Sequence, residues 1–432
     1  MLDERQLMSR VAWRLMPLLV LMFLVAFIDR QNVGFAKLQM VKDLGLSEAA
    51  YGLGASLFFI GYLLFEVPST LALHRFGART WLARIIGTWG LLTVVLAFTA
   101  NGPMFYGLRF LLGVAEAGFY PGVIYYLTLW FPKAYRIRVL GIFTLGSAMG
   151  NMVGALIGGP LLDLDGVLGL AGWQWVFLVT GIPAVLLTFA ALKFLPNGPQ
   201  DARFLNDAEK SWLTEAVRRD TPETAKHGNP IAALWDYRVL LFALAYMMMS
   251  TSQYGVTYWM PTVVKGFGVS GTTNGLLNTI PWALATLMLL WLPGRLRRDA
   301  VVFRAVMALT GIGVLCFFAS TQLPVNWMRF LALMLGVPCI SLLYPCFWSL
   351  PPRFFQGARA AASIAAINSI GNLGGFFGQN LMPWVGQVTG SSIAPMLVPT
   401  ACLALLGAGT VIASRYLAND RPQPAIVRKM AH

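Results

Sequence analysis

Charge is scarce in this chain and unevenly spread. Only 12% of the 432 residues are charged and 57% are hydrophobic, which excludes a soluble globular protein. Acids number just 18, and between Asp236 and Asp420 the only one is Asp299. Any proton-carrying carboxylate must therefore lie in the first half. The four cysteines (Cys316, Cys339, Cys346 and Cys402) stand in apolar runs without disulfide or metal-ligand spacing, and the three histidines form no cluster. Redox chemistry and a metal site are not expected. No Ser-His or Cys-His constellation is legible either, so the chain is not expected to be an enzyme, to have catalytic residues or to use a cofactor other than a coupling proton. The formal charge of +14 does not imply nucleic acid, because no basic patch interleaved with aromatics occurs. The first apolar run lacks a small-residue cleavage site and continues through charged residues, so it is expected to stay as an anchor.

Long apolar runs are what the chain has in abundance. Segments of spanning length fall at 13–38, 48–73, 80–99, 103–131, 137–162 and 173–195, and again at 237–264, 271–294, 301–321, 326–350, 360–386 and 393–416. The expected fold is an all-α membrane protein with twelve transmembrane helices in two six-helix bundles. The expected units are a first bundle at 1–195, a linker at 196–236, a second bundle at 237–418 and a tail at 419–432. Within the linker, Asn206-Asp207-Ala208-Glu209 reads as the capped start of a short amphipathic helix through Arg219. Of the 32 Lys and Arg residues, 26 fall on the side of the termini and linker. Lys37, Lys42, Lys265 and Arg329 fall on the other side, and Arg30 and Arg109 lie inside spans. This bias predicts that both termini and the linker are cytoplasmic. The halves echo one another at an offset of about 221: Arg138, Gly150-Asn151 and Gly154 match Arg359, Gly371-Asn372 and Gly375. Such repeats place a substrate site near the midplane, between bundles that rock against each other.

The apolar run Leu15 to Ile28 leads directly into Asp29-Arg30-Gln31-Asn32. A helix stopping at Ile28 would span only about 21 Å, short of the ~30 Å hydrocarbon layer, so the charged pair sits at membrane depth. Charges there cost at least ~2.5–3.5 kcal/mol each and usually face a bundle interior or a wet path. The alternative is a helix broken at Asn32 to Gly34, with Arg30 snorkelling to the interface. In the fourth span Arg109 and Glu116 are two turns apart on one face and can line a cavity with Asp29 and Arg30. A purely structural ion-pair network is the competing reading. The second half offers neutral groups: Gln253, Tyr254, Tyr258, Ser341, Tyr344, Trp348, Asn368 and Asn372. They could bind hydroxyls, a ring or a distal carboxylate, or simply hydrogen-bond between helices. Gly146, Gly150, Gly154 and Gly158 form a ladder best read as close helix packing. Glu66, about two turns from the end of its span, is open to pairing with a loop arginine or to proton coupling.

Five stretches carry a family resemblance: Phe27 to Ala36, Phe65 to Ser69, Arg109 to Gly122, Gly172 to Trp175, and Ile367 to Phe376. Together they resemble the anion:cation symporter family of the major facilitator superfamily, nearest the bacterial branch of tartrate, sugar-acid, phthalate and 4-hydroxyphenylacetate permeases. The resemblance implies that Asp29 and Glu116 titrate with the coupling proton, that Arg30 binds the substrate carboxylate, and that Arg109 pairs with the acids. It also implies that Tyr62 faces the same cavity, and it strengthens Asn368 as a substrate residue. The superfamily's loop motif is degenerate here, with His74 where an Asp is usual. Glu66, Arg75 and Arg79 remain as candidate gating residues, without the acid that the usual lock requires in that loop.

The candidate charges Arg30, Arg109, Asp29 and Glu116 sum to zero when ionised. Protons on both acids would leave two arginines needing an anion, which a carboxylate supplies bidentately. The function this predicts is proton-coupled uptake of a small organic anion by alternating access, in a monomer of the bacterial inner membrane that binds no nucleic acid. A pH-independent facilitator or anion exchanger is the alternative, and a membrane-embedded organic-acid sensor is the remote one. The expected substrate contacts are Arg30, Tyr62, Arg109, Gln253, Tyr254, Tyr344 and Asn368.

Overall fold

The computed structural model describes residues 3–220, 236–291, 299–355 and 358–419. The first helix, α1 (Glu4–Asp43), is far longer than the expected span. It is capped by Asp3, whose carboxylate accepts the amides of Arg5 and Gln6. It runs without a break through Asn32 to Gly34, and Asp29 is buried at 1% exposure. The alternative of a broken helix with a snorkelling charge is thereby removed. The other helices of the first half are α2 (Glu48–Phe76), α3 (Ala78–Leu96), α4 (Gly102–Glu116), α5 (Phe119–Trp130), α6 (Lys133–Leu162) and α7 (Gly172–Phe194). The expected fourth span is thus two helices. Ala117 turns extended, and Gly118 adopts φ +84°, where a Cβ would also collide with Ser69.

The linker forms α8 (Asp207–Asp220) with the anticipated capping box: Asn206 accepts the Glu209 amide, and Glu209 accepts the Asn206 amide. Glu209 also binds Arg10 at 3.0 Å, which ties the linker to the start of α1. The second half comprises α9 (Tyr237–Lys265), α10 (Gly271–Trp291), α11 (Asp299–Gln322), α12 (Asn326–Trp348), a short α13 (Pro351–Phe354), α14 (Ala358–Asn372), α15 (Gly374–Thr389) and α16 (Leu397–Asn419).

Among the described residues, nine stretches are long and apolar enough to cross a membrane on their own. The other three expected spans correspond to α3, α10 and the α14–α15 pair. The first two are less apolar because Arg79 and Arg84 stand in α3 and Asn274 and Asn278 are buried in α10, and the third is divided at Leu373 into two helices of 15 and 16 residues, each too short to cross alone. Leu64, Val67, Leu71, Leu186, Phe189, Leu290 and Leu315 stand exposed around the outside, as lipid contact requires.

The packing repeats between halves. In the first, α1 packs on α6, α2 on α4 and α3 on α7; in the second, α9 packs on α14 and α15, α10 on α12 and α11 on α16. Two pseudo-symmetric bundles result, joined mainly where α6 meets α10, α2 meets α15 and α1 meets α9. The α6 ladder packs as expected. A Cβ at Gly150 would sit 2.6 Å from the Leu24 carbonyl, and one at Gly154 would sit 2.9 Å from Gln31 Oε1.

Candidate functional site

Asp29 and Arg30 are adjacent on α1, so their side chains diverge by about 100° around the helix and serve different places. Arg30 reaches the seam between the bundles. Its Nε and Nη2 donate to Glu116 Oε1 at 2.9 and 2.5 Å, and its Nη1 donates to the Tyr254 hydroxyl of α9 at 2.7 Å. The rings of Phe27, Phe58 and Tyr62 stand 5.2, 5.4 and 5.5 Å from the guanidinium carbon. The Arg30 side chain keeps 15% exposure, while Glu116 keeps none and its Oε2 has no hydrogen-bond partner. A cation with an open edge, held by one carboxylate and a phenol, is suited to receive an anion that displaces either partner.

Asp29 turns inward instead, between α1, α3 and α7. Its Oδ1 accepts from Thr93 Oγ1 at 2.8 Å and from Asn32 Nδ2 at 3.0 Å, and that amide also reaches Thr180 Oγ1. Its Oδ2 has no partner. Arg109 is buried in α4 and donates to the Ala55 carbonyl at 3.0 Å, with the Phe58 ring 5.2 Å from its guanidinium carbon. The carboxylate of Glu116 pairs with Arg30, whereas Arg109 lies within electrostatic reach of both Asp29 and Glu116 without a direct bond to either. The four charges therefore do not line a single cavity. The reason is helical phase: the residue that faces the seam leaves its neighbour facing the bundle core.

Glu66 settles against the other bundle. Its Oε1 accepts from Asn368 Nδ2 at 3.0 Å and its Oε2 from Ser369 Oγ at 2.6 Å. This brings Asn368 to the seam through a partner that sequence reasoning had placed with loop arginines or protons. Tyr344 meets Tyr246 edge-on at 5.8 Å, and Gln253 is buried beside Tyr254 with an unpartnered Oε1. Arg75 lies against its neighbour Phe76, and the Arg79 backbone amide donates to Asn197 Oδ1. The structure does not bring these two together with the Arg30 site.

Several residues of the seam were not anticipated. Lys37 was counted among the loop cations, yet it lies two turns inside α1 at 2% exposure. Its ammonium binds Glu48 at 2.6 Å and Thr262 at 3.0 Å and sits 3.4 Å from the centre of the Trp259 ring. Asp163, past the end of α6, clamps the start of α10: it accepts the amides of Gly271 and Thr272 at 3.0 and 2.7 Å and the Thr272 hydroxyl at 2.7 Å. Partial burial opposes ionisation, but those hydrogen bonds outweigh it and hold the Asp163 carboxyl below its usual range. One turn further into α10, a Cβ at Gly275 would sit 2.6 Å from the Ala155 carbonyl. The end of the molecule opposite the linker is thereby closed. Thr93 had no signal in the sequence, and Ser369, although it lies in the Ile367 to Phe376 stretch, had none for this role, since only the tertiary fold puts either beside a carboxylate.

The helix order, the paired packing and a central charged seam agree with what comparison finds. The sequence model of the Major Facilitator Superfamily matches residues 19–379. The chain belongs to that superfamily. It is 43% identical to a quinolone resistance transporter of Acinetobacter baumannii, over 90% of this chain and 91% of that one. It is 38% identical to a putative tartrate transporter of Agrobacterium vitis, over 95% of each. A solved structure of similar fold is a bacterial homologue of the human lysosomal transporter Spinster, in an inward-facing and occupied conformation. The TM-score is 0.72 at 18% identity, covering 95% of this chain and 98% of that one. This major facilitator protein is a multi-pass membrane transporter that handles a small molecule, not an enzyme.

Proposed function

We propose that this transporter takes up a small carboxylate (tartrate, a sugar acid or an aromatic acid) together with protons, across the bacterial inner membrane, as a monomer with both termini and the linker in the cytoplasm. The observation that carries the reading is the Arg30–Glu116 pair, open on one edge and bridged to Tyr254 of the other bundle. With Glu116 ionised, the arginine is neutralised from within and an arriving anion must compete with a carboxylate. A proton on Glu116 frees the guanidinium fork for a substrate carboxylate, and the loaded seam is neutral enough for the bundles to rock. Asp29 takes its proton one shell deeper, where Arg109 links its charge to that of Glu116. The relative named as a putative tartrate transporter supports a carboxylate.

Uptake into proteoliposomes under an imposed pH gradient tests the reading. Glu116→Gln and Asp29→Asn are expected to lose gradient-driven accumulation, and accumulation intact in both would sink it. The seclusion of Asp29 among Thr93, Asn32 and Thr180 favours a second reading, in which the acids only position the arginines of a pH-independent exchanger or facilitator. Counterflow insensitive to pH would support that one.

A further inference from the structure

Glu66 is the carboxylate that this mechanism leaves unused. It is 6% exposed, and among the described residues it makes no ion pair. Both partners are neutral donors from the opposite bundle, the Asn368 amide and the Ser369 hydroxyl. Glu66 follows Tyr62 by one helical turn, about 6 Å along α2, and the Tyr62 ring stands against Arg30. Arg30 and Glu66 thus flank one tyrosine, with opposite charges at the two ends.

We propose that Glu66, with Asn368 and Ser369, forms the second pole of the substrate site and takes a hydroxyl of the transported acid. This rests on the reading of Arg30 as the anion site. An ionised carboxylate offers about four acceptor positions, and two are filled, leaving room for one or two further donors. Asn368 and Ser369 are only partly buried, so the pole borders accessible space. The donors already chosen are an amide and a hydroxyl, and Arg30 across Tyr62 repels an ammonium group. A hydroxyl is the donor that fits both facts. A buried acceptor arranged in this way rejects an analogue that lacks the hydroxyl by a large factor, because its lone pairs would be left unmatched in a desolvated site.

The test uses the purified full chain and two pairs of acids that differ only in hydroxyls, tartrate against succinate and 4-hydroxyphenylacetate against phenylacetate. Binding is read from thermal stability as a function of ligand concentration. In at least one pair the hydroxylated acid is expected to bind ten-fold or more tightly. Glu66→Ala should reduce that preference below three-fold while keeping carboxylate binding. Glu66→Gln, which preserves shape and one acceptor, should retain part of it and serves if the alanine variant does not fold. A hydroxyl preference unchanged in the variants means that Glu66 only latches the bundles, which overturns the proposal. So does acid binding that is lost in Arg30→Ala yet shows no hydroxyl preference in the native protein, and in that case the anion reading survives. Failure of the native protein to bind any of the four acids overturns both.

Discussion

The two bundles are built on one packing plan but carry opposite chemistry. The first brings Asp29, Arg30, Glu66, Arg109 and Glu116 into its interior and seam. The second answers with Tyr254, Tyr344, Asn368 and Ser369, all uncharged. Symmetry therefore governs the mechanics and not the site. Rocking needs two matched bodies, whereas coupling needs titrating charges whose interactions change as one body moves past the other. Concentrating the charges in one bundle lets a neutral partner slide over them without breaking a buried ion pair between bodies, a loss that costs several kcal/mol.

The largest break in that comparison should come from Arg30. Arg30→Ala removes the anion's partner and strands Glu116, so uptake and ligand-induced stabilisation are expected to fall at least 100-fold. Arg30→Lys should do nearly as much, because the fork is lost. Glu116→Gln comes next. It should keep counterflow but abolish accumulation driven by a pH gradient, measured in the same vesicles; accumulation that persists would move coupling out of the charged bundle.

The closed end sharpens the comparison at smaller scale. Gly275→Leu places a side chain against Ala155 and Gly159 and should hold the α6–α10 seam apart. Faster alkylation of a cysteine placed at the buried Asn278, in a background without the native cysteines, would report it. The smallest effect is expected from Asp163→Asn, which weakens a charge at a helix start by about 0.3–1 kcal/mol. The Asp163 carboxyl is held below its usual range, so its clamp is complete above that range and is lost only as pH falls through the lowered value. Divided by the thiolate fraction, measured on an exposed reference cysteine, the alkylation rate should therefore be flat near neutral pH and rise only in acid.

Much of the architecture was legible because it follows from hydropathy and loop charge. The order of spans, the capped linker helix from Asn206 and the packing role of the Gly146 to Gly158 ladder all follow local rules of period, cap and side-chain size. The helix ends were less so: α1 extends past the expected end at 38 to Asp43, and Lys37, sorted by charge with the cations of the far side, lies buried within it. The site was legible in its members and illegible in their partners. Arg30, Glu116, Glu66 and Asn368 were each singled out, but a sequence gives no sign that Arg30 takes Glu116 while Arg109 takes a carbonyl, or that Glu66 crosses to Ser369.

By itself, then, the sequence determined that the chain lives in a membrane, that it doubles on itself and that its ionisable interior belongs to one half, since each is a matter of composition along the chain. Tertiary structure alone decided which charge meets which. Asp29 and Arg30 are neighbours in the chain, yet helical phase sends one to a pocket of hydroxyls and amides and the other to the seam. The packing of α1 against α6, α7 and α9 then fixes what each one finds there.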